Sequence, residues 1–538
     1  MRELGQFYRM GADVAVGLFR NRFQVQEFLE QSWMIARVSI VPTVLVAVPF
    51  TVLVSFTLNI LLREIGAADL SGAGGAALGA VTQVGPVVTV LIVAGAGATA
   101  IAADLGSRTI REEIDAMEVL GIDPITRLVI PRVVASTVVA LLLNGLVCVI
   151  GIAGGYAFSV FLQGVNLRLR RGNHVADRPP PRGGVVDGQS CAVRDAGGIG
   201  GLLSRTVGTG WAERRGGEAV NETVVYAFMA LFVVNTIVTA VGIRLTAGVI
   251  EVTLSDSLAQ IGKFGRTRAR VARTSRSIDD VGRQAVFFAR AIAHIPWAIR
   301  KHPKEVLRLV AEISMGTGAL AVIGGTVAVV GFLTLASGGT IAIQGFSSLG
   351  NIGVEALTGF FSAFINVRIA APVIAGIGLS ATIGAGSTAQ IGAMRISEEI
   401  DALESMAISS VPYVVSTRVT AGMIAILPLY SLALVGSFLA GRFTTVVLFG
   451  QSSGLYDHYF TTFLDPVDVA WSFVQVLVMA LLVMLIHTYY GYNASRGPSG
   501  VGTAVGRGVR LSLICVVAVT LLVSLALYGG SGNFNLSG

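Results

Sequence analysis

Long apolar segments recur along this chain, and they limit what it can fold into. One of them, Leu128–Leu162, exceeds the roughly 20 residues that an α-helix needs to cross a bilayer. Only 13% of the residues are charged, against about 25% in an ordinary soluble domain. We therefore predict an all-α, polytopic membrane protein. The expected spans are Val38–Leu62, Val84–Leu105, Leu128–Leu162, Thr223–Thr246, Ser314–Ala336, Ile369–Met394, Tyr413–Leu448, Val467–Tyr489 and Leu511–Leu527.

An acidic sequence occurs twice at a constant offset. REEIDAMEVLGID begins at Arg111 and SEEIDALESMAIS begins at Ser397, 286 residues later. The same offset relates further pairs, so the chain consists of two parallel copies of one unit; the pairs are Pro86 with Pro372, Gly106 with Gly392, Ile110 with Ile396, and Arg132 with Arg418. Just before the first span of each half lies a mixed segment, FQVQEFLEQSWMIAR or HPKEVLRLVAEI, which we expect to form an amphipathic helix at the membrane surface.

The repeat also predicts the domain boundaries. The first half is expected at residues 1–248, a basic linker at 249–301 and the second half at 302–538. Residues 167–218 are anomalous, because they are rich in arginine and glycine where the second half has an apolar span. Out-of-frame translation or a disordered insertion would account for them, and the nearly conserved length favours the first.

Each acidic copy has two sides when it is projected as a helix. Ile110, Ile114, Met117 and Gly121 share one face of the first copy, and the carboxylates lie away from it or on its flanks. In the second copy Ile396, Ile400 and Leu403 form the matching stripe. Neighbouring arginines place these helices in the cytoplasm. A solvated surface helix would explain one copy, whereas two equivalent copies favour a two-fold symmetric cytoplasmic partner.

Other kinds of site have little support in the sequence. No G-x-x-x-x-G-K-[ST] motif occurs, and the histidines and cysteines lack metal-ligand spacing, so we expect no catalytic, cofactor or metal site. His487 lies late in a span, where a hydrogen bond to a neighbouring helix is expected. Glycines in the second span of each half favour close helix packing over a gating hinge. They are Gly95, Gly97, Gly376, Gly378, Gly384 and Gly386.

The pattern ADLGSRTIREEIDAMEVLGIDP, with its echo GAMRISEEIDALESM, resembles the MlaE/YrbE permease family. These proteins are the membrane subunits of Mce and Mla lipid ABC transporters. The first half looks like an A-type YrbE subunit and the second like a B-type subunit, so the chain resembles a fusion of the two. NETVVYAFMALFVVN, LGNIGVEALTGFF, GQSSGLYDHYF and NFNLSG add to the resemblance.

The resemblance implies a multi-pass permease of the bacterial inner (plasma) membrane, with about five spans per half and no enzyme activity of its own. The implied partners are a dimeric ABC ATPase, which would use the ATP, and Mce/MlaD-type substrate-binding proteins on the opposite face. The substrate would be a membrane lipid (a fatty acid, sterol or phospholipid), and no nucleic acid is involved. The acidic helices would be coupling helices that contact the ATPase through Glu112, Glu113, Asp115, Glu118, Glu398, Glu399, Asp401 and Glu404.

Two other functions remain alternatives. An ion-coupled secondary transporter would place carboxylates or histidines near the middle of its spans, whereas Val38–Leu62 and Ile369–Met394 carry no acidic residue or histidine. A non-transporting membrane scaffold for Mce proteins is the other alternative, particularly if the anomalous stretch disables the first half.

Overall fold

The computed structural model describes residues 24–64, 84–97, 101, 105, 108, 112–161, 274–315, 325–350, 353–495 and 497–528. Every regular element within these ranges is helical. In the first half they are α1 (Val25–Glu64), α2 (Gly85–Ile92), α3 (Glu113–Val119) and α4 (Ile130–Phe161). The later ones are α5 (Thr274–Ala293), α6 (Ile295–Lys301), α7 (Pro303–Met315), α8 (Gly325–Gly350), α9 (Thr358–Ile365), α10 (Ala371–Leu379), α11 (Ala385–Ile396), α12 (Glu399–Ser405), α13 (Thr417–Phe443), α14 (Ser453–Phe463), α15 (Pro466–Tyr492) and α16 (Pro498–Tyr528).

Seven helical stretches among the described residues are long and apolar enough to cross a membrane, which confirms the all-α, polytopic fold. Two belong to the first half and five to the second, the number expected for one complete unit. They are Val25–Thr57, Ile125–Gly155, Thr326–Ser347, Glu355–Ile396, Val411–Leu448, Pro466–Tyr492 and Gly500–Leu527. The predicted span Thr223–Thr246 and the anomalous stretch 167–218 lie outside the described residues.

The mixed segment before the first span differs from expectation. It does not form a separate surface helix, because α1 runs without a break from this segment into the membrane span. Its two internal prolines, Pro42 and Pro49, do not end the helix. The Thr43 hydroxyl, next to Pro42, donates to the Ser39 carbonyl at 2.7 Å, one turn earlier, so this polar group is bonded within the helix.

The first span of the second half also differs from expectation, because it extends further toward the C-terminus. We expected Ser314–Ala336, whereas α8 runs from Gly325 to Gly350. Its polar residues do not interrupt it, because Thr334 and Thr340 donate their hydroxyl hydrogens to carbonyls one turn earlier, at 3.0 and 2.8 Å. In this way a stretch of lower hydropathy continues the span. The mixed segment ahead of it does form a helix of its own, α7.

The two halves pack against each other through α1 and α16. Val46 of α1 and Val517 of α16 share one buried cluster with residues of α2 and α4. Each of these valines lies roughly 30 Å along its helix from the N-terminus, at 1.5 Å per residue. The contact between the two halves therefore lies in the central part of both helices. We call the end of each half that carries its short acidic helix, α3 or α12, the acidic end of that half.

Helices α5 and α6 lie in the stretch that the sequence predicts as a linker. The Ser416 hydroxyl, at the entry to α13, donates to the carbonyl of Ala291 in α5 at 2.9 Å. The ring of Phe287 lies 5.3 Å from that of Tyr489 and 5.6 Å from that of Tyr492, at the end of α15. The C-terminal part of this stretch therefore packs on the acidic end of the second half. The domain boundaries themselves stay a prediction.

Candidate functional site

Each acidic helix begins with a residue in the left-handed backbone conformation. Glu112 has φ 57° and Glu398 has φ 59°, and they precede α3 and α12 respectively. Residues with a side chain rarely adopt this conformation, and it costs on the order of 1–3 kcal/mol. The same costly turn occurs in both copies, 286 residues apart. The predicted continuous helix is therefore wrong at these two positions, which form a turn ahead of the helix.

This turn also changes the apolar stripe that periodicity predicts. Ile396 ends α11 before the turn and is 38% exposed, so it does not share a face with Ile400. Gly121 lies beyond the end of α3 with φ 73°, a conformation that suits glycine. Both positions were predicted as part of the stripe, and both predictions are wrong because helical periodicity does not extend across a turn. Ile110 lies outside the described residues.

The remaining stripe residues attach each acidic helix to its own half. Ile114 and Met117 pack against the buried cluster that contains Leu105 and Leu128. Ile400 is fully buried in a separate cluster, and Leu403 packs against that cluster. Two apolar side chains spaced three residues apart therefore anchor each helix, which leaves the opposite side free.

The opposite side carries the predicted carboxylates. Glu113 keeps 42% of its side chain exposed at 3.9 Å from Arg108, and Asp401 keeps 56% at 2.8 Å from Arg395. Such exposed pairs contribute little to stability, roughly 0–1 kcal/mol. The structure places all eight predicted residues at the surface, four at the acidic end of each half. They are Glu112, Glu113, Asp115, Glu118, Glu398, Glu399, Asp401 and Glu404. Their part in docking stays a prediction.

One carboxylate is bonded back to its own half. Glu404 Oε1 accepts a hydrogen bond from the Ser410 hydroxyl at 2.6 Å and another from the Tyr492 hydroxyl at 3.3 Å. The two hydroxyl oxygens lie 2.8 Å apart. Glu404 therefore joins α12 to the last residue of α15 as well as facing solvent.

Sequence reasoning missed an exposed apolar tip after each acidic helix. Leu120 is 74% exposed and Ile122 38%, immediately after α3. Met406 and Ile408, at the same offset after α12, are 62% and 37% exposed. Extending the comparison of the two copies past the glutamates would have found these pairs. Each acidic helix thus presents negative charge beside large apolar side chains, a composition suited to a protein partner.

The glycines of the second span lie against neighbouring helices. A Cβ on Gly376 would come within 2.8 Å of Val516 in α16, and one on Gly378 within 2.9 Å of Val330 in α8. In the first half a Cβ on Gly97 would lie 3.7 Å from Ile35 in α1, an ordinary contact. Gly95 and Gly386 belong to the same helical stretches. Close approach of this kind is what small residues permit between membrane helices, and the predicted packing role remains to be tested.

His487 is fully buried and surrounded by hydroxyl groups. Its Nδ1 lies 2.8 Å from the Thr388 hydroxyl, and its Nε2 lies 3.3 Å from that of Ser380 and 3.2 Å from that of Ser512. A Cβ on Gly384 would come within 2.7 Å of Nε2 and closer still to Cδ2. The prediction of hydrogen bonds to neighbouring helices is confirmed. Within the described ranges, no group of three or more His, Cys, Asp or Glu side chains could hold a metal ion.

Comparisons with known proteins match each half separately. A family model described as Permease MlaE matches residues 28–169 and 315–526. A Rickettsia bellii protein named "Probable ABC transporter permease protein" is 30% identical over 153 residues, which is 28% of this chain and 59% of that protein. A Synechocystis protein also named as a probable ABC transporter permease protein is 27% identical over 241 residues, 44% of this chain and 88% of the relative.

A third relative carries a more specific name. The "Intermembrane phospholipid transport system permease protein MlaE" of Haemophilus influenzae is 34% identical over 90 residues, 17% of this chain and 34% of that protein. This chain thus spans 59% of the length of the Rickettsia relative and a third of the Haemophilus one.

Proposed function

Because this chain belongs to the MlaE permease family, we propose that it is the membrane component of an Mce-type ABC transporter that moves hydrophobic lipids across the bacterial inner membrane. Membership confirms the resemblance seen in the acidic repeat. The chain is a multi-pass membrane protein and a lipid-transport permease by family. We further propose that it lies in the inner membrane, that it works with an ABC ATPase and Mce-type proteins, and that its substrate is a hydrophobic lipid.

The observation that carries this proposal is the pair of acidic helices, one at the acidic end of each half. Each presents carboxylates and an exposed apolar tip on one side, while two apolar residues hold its other side to the membrane domain. A dimeric ATPase has two equivalent surfaces, and two equivalent helices facing one compartment suit it. The predicted contacts are Glu112, Glu113, Asp115 and Glu118 of the first copy, with Glu398, Glu399, Asp401 and Glu404 of the second.

The energy for transport would come from this partner. The sequence lacks the glycine-rich G-x-x-x-x-G-K-[ST] loop whose backbone amides hold ATP phosphates. The relatives are named as permease components, which supports the same division of labour. Mce-type substrate-binding proteins would then contact the end opposite the acidic helices. The lipid class is open within the proposal, and the name of the Haemophilus relative favours a phospholipid.

A membrane scaffold that does not transport is the second candidate. The family match ends at residue 169 in the first half, whereas in the second half it continues to residue 526, equivalent to residue 240 at the offset of 286. In the first half, the similarity to the family therefore ends where the anomalous stretch 167–218 begins. If one span is missing there, Thr223–Thr246 would cross in the opposite direction from Leu511–Leu527. We therefore propose that two separate in-frame subunits are the efficient transporter.

Co-purification tests the proposal. We expect the full chain to retain an ABC ATPase, and mass spectrometry of the purified complex to identify a bound lipid. Charge reversal at both helices, Glu113→Lys with Glu399→Lys, should release the ATPase while the chain stays folded. Each exposed charge contributes about 1 kcal/mol or less, so the double variant is needed. Glu355→Lys, at the opposite end, is the matched control, and an ATPase retained by the double variant would argue against docking at these helices.

A further inference from the structure

The two acidic helices are attached to the molecule in different ways. In the second copy, Glu404 in the last turn of α12 accepts hydrogen bonds from Ser410 and Tyr492. Tyr492 lies 88 residues away in sequence and ends α15, which spans the membrane. We call these three residues the tether. The Ser410 bond, at 2.6 Å, has the length of a hydrogen bond to a carboxylate, which is about twice as strong as a neutral one, and the Tyr492 bond, at 3.3 Å, is longer and weaker.

Tyr492 also makes apolar contacts that extend the tether to other elements. Its ring packs against the buried cluster of Ile391, Ile400 and Val414, to which α12 is attached. On another side it lies 5.6 Å from the ring of Phe287 in α5. Tyr492 therefore connects three helices: the acidic helix α12, the membrane span α15 and the linker helix α5.

The first copy lacks one of the two hydroxyl donors of the tether. At the offset of 286, Pro124, which has no hydroxyl, stands in place of Ser410, and the position of Tyr492 falls on residue 206, which lies outside the described residues. Glu118, the counterpart of Glu404, is exposed. The turn after α3 is closed locally, since Asp123 accepts hydrogen bonds from the amides of residues two and three positions later. The first copy therefore lacks the serine of the tether, and Asp123 holds its turn instead.

We propose that Ser410 and Tyr492 are positioning residues that hold the second acidic helix in its docking geometry and make it the stronger of the two docking sites. The proposal rests on the proposed function, since it requires an ATPase that docks on these helices. A helix that is fixed before binding loses less conformational freedom when the partner arrives. The second helix is therefore the better prepared of the two for docking.

The test combines hydrogen exchange with ATPase binding, using the full chain in nanodiscs. The variant Ser410→Ala with Tyr492→Phe removes both hydroxyls and keeps the tyrosine ring on Phe287. We expect amide exchange in 399–406 to quicken about tenfold, in line with losing a hydrogen bond to a charged group, while 113–119 stays unchanged. The affinity for the co-purifying ABC ATPase should fall by a similar factor. Tyr489→Phe is the matched control, because it removes a hydroxyl from the same aromatic cluster and leaves Glu404 bonded.

A second comparison uses the unaltered tether. Single charge reversal at Glu399→Lys should weaken ATPase binding several-fold more than Glu113→Lys, although the two positions are equivalent in the repeat. Equal losses would overturn the proposal.

The outcomes separate the tether from docking in general. Faster exchange in 399–406 with unchanged ATPase affinity would overturn the positioning role and leave the proposed function standing. Unchanged exchange in the double variant would show that the tether does not hold the helix, and this result would also overturn the positioning role. If the unaltered chain binds no ATPase in the same assay, the proposed function fails, and the exchange data still report whether the tether exists.

Discussion

Replacing Gly384 by alanine should destabilise the second half more than its single added methyl group suggests. The new Cβ would come within 2.7 Å of Nε2 of His487, on the face of a ring that is fully buried. The imidazole has no free direction in which to move, because Thr388 holds one nitrogen and the hydroxyls of Ser380 and Ser512 lie beside the other.

The magnitude follows from two contributions. Overpacking in a close-packed core costs about 1–3 kcal/mol. Displacing the imidazole also lengthens its hydrogen bonds, each of which contributes roughly 1 kcal/mol. We expect the free energy of unfolding to fall by about 2–4 kcal/mol in total, the sum of these estimates.

Denaturation in mixed micelles, followed by circular dichroism, measures this loss. Gly331→Ala in α8 is the matched control, since a Cβ there has nothing within 4 Å. Alanine is the better helix former by about 1 kcal/mol, so this control should be as stable as the parent or slightly more so. A double-mutant cycle with His487→Ala adds a second check, because removing the ring makes room for the methyl group.

Two results would refute this reasoning. Gly384→Ala could prove as stable as Gly331→Ala, in which case the helices separate at little cost. Alternatively, the effects of Gly384→Ala and His487→Ala could simply add, whereas a shared clash requires an interaction energy of about 1–3 kcal/mol.

Three further predictions concern other parts of the chain. Ile114→Asp places a charge against the buried cluster of the first half, so the thermal unfolding temperature should drop. A fully stable variant that no longer binds the ATPase would instead show that Ile114 lies on the side of α3 that contacts the ATPase. Asp468→Asn removes the negative charge that lies 2.6 Å from the guanidinium of Arg368, a side chain only 7% exposed. Denaturation should show that the free energy of unfolding falls by about 3 kcal/mol, and unchanged stability would contradict this. With one span missing from the first half, the linker lies in the cytoplasm; a membrane-impermeant thiol reagent applied to intact cells should label a cysteine placed at Gly198, and labelling at Ser275 would contradict this topology.

Local features of the sequence were enough to predict the fold class and the position of the acidic helices. Hydropathy reports whether a segment can leave water, and this property belongs to the segment itself. A repeat at a fixed offset likewise needs no knowledge of the fold. For these reasons the five spans of the second half and the placement of Ile400 on the buried side of α12 could be inferred from residues alone.

The errors lie where a local pattern meets a change of backbone direction. Ile396 and Gly121 fit a helical stripe on paper, but the turns that flank α12 and α3 end the periodicity. No propensity scale favours glutamate at φ 57–59°. This conformation persists because the packed helices on either side of the turn fix the direction of the chain, and only the folded structure contains that information.

The sequence by itself determined that the chain is helical, crosses the membrane repeatedly and carries one acidic helix twice. Tertiary structure decided which atoms meet: the Tyr492 hydroxyl at Glu404, 88 residues apart, and the His487 ring at Ser380, 107 residues apart. The physical reason is that hydropathy and helical period act over a few neighbouring residues, whereas such contacts depend on how whole helices cross and rotate. The two acidic helices are alike in sequence, and their difference arises from what the rest of each half brings beside them.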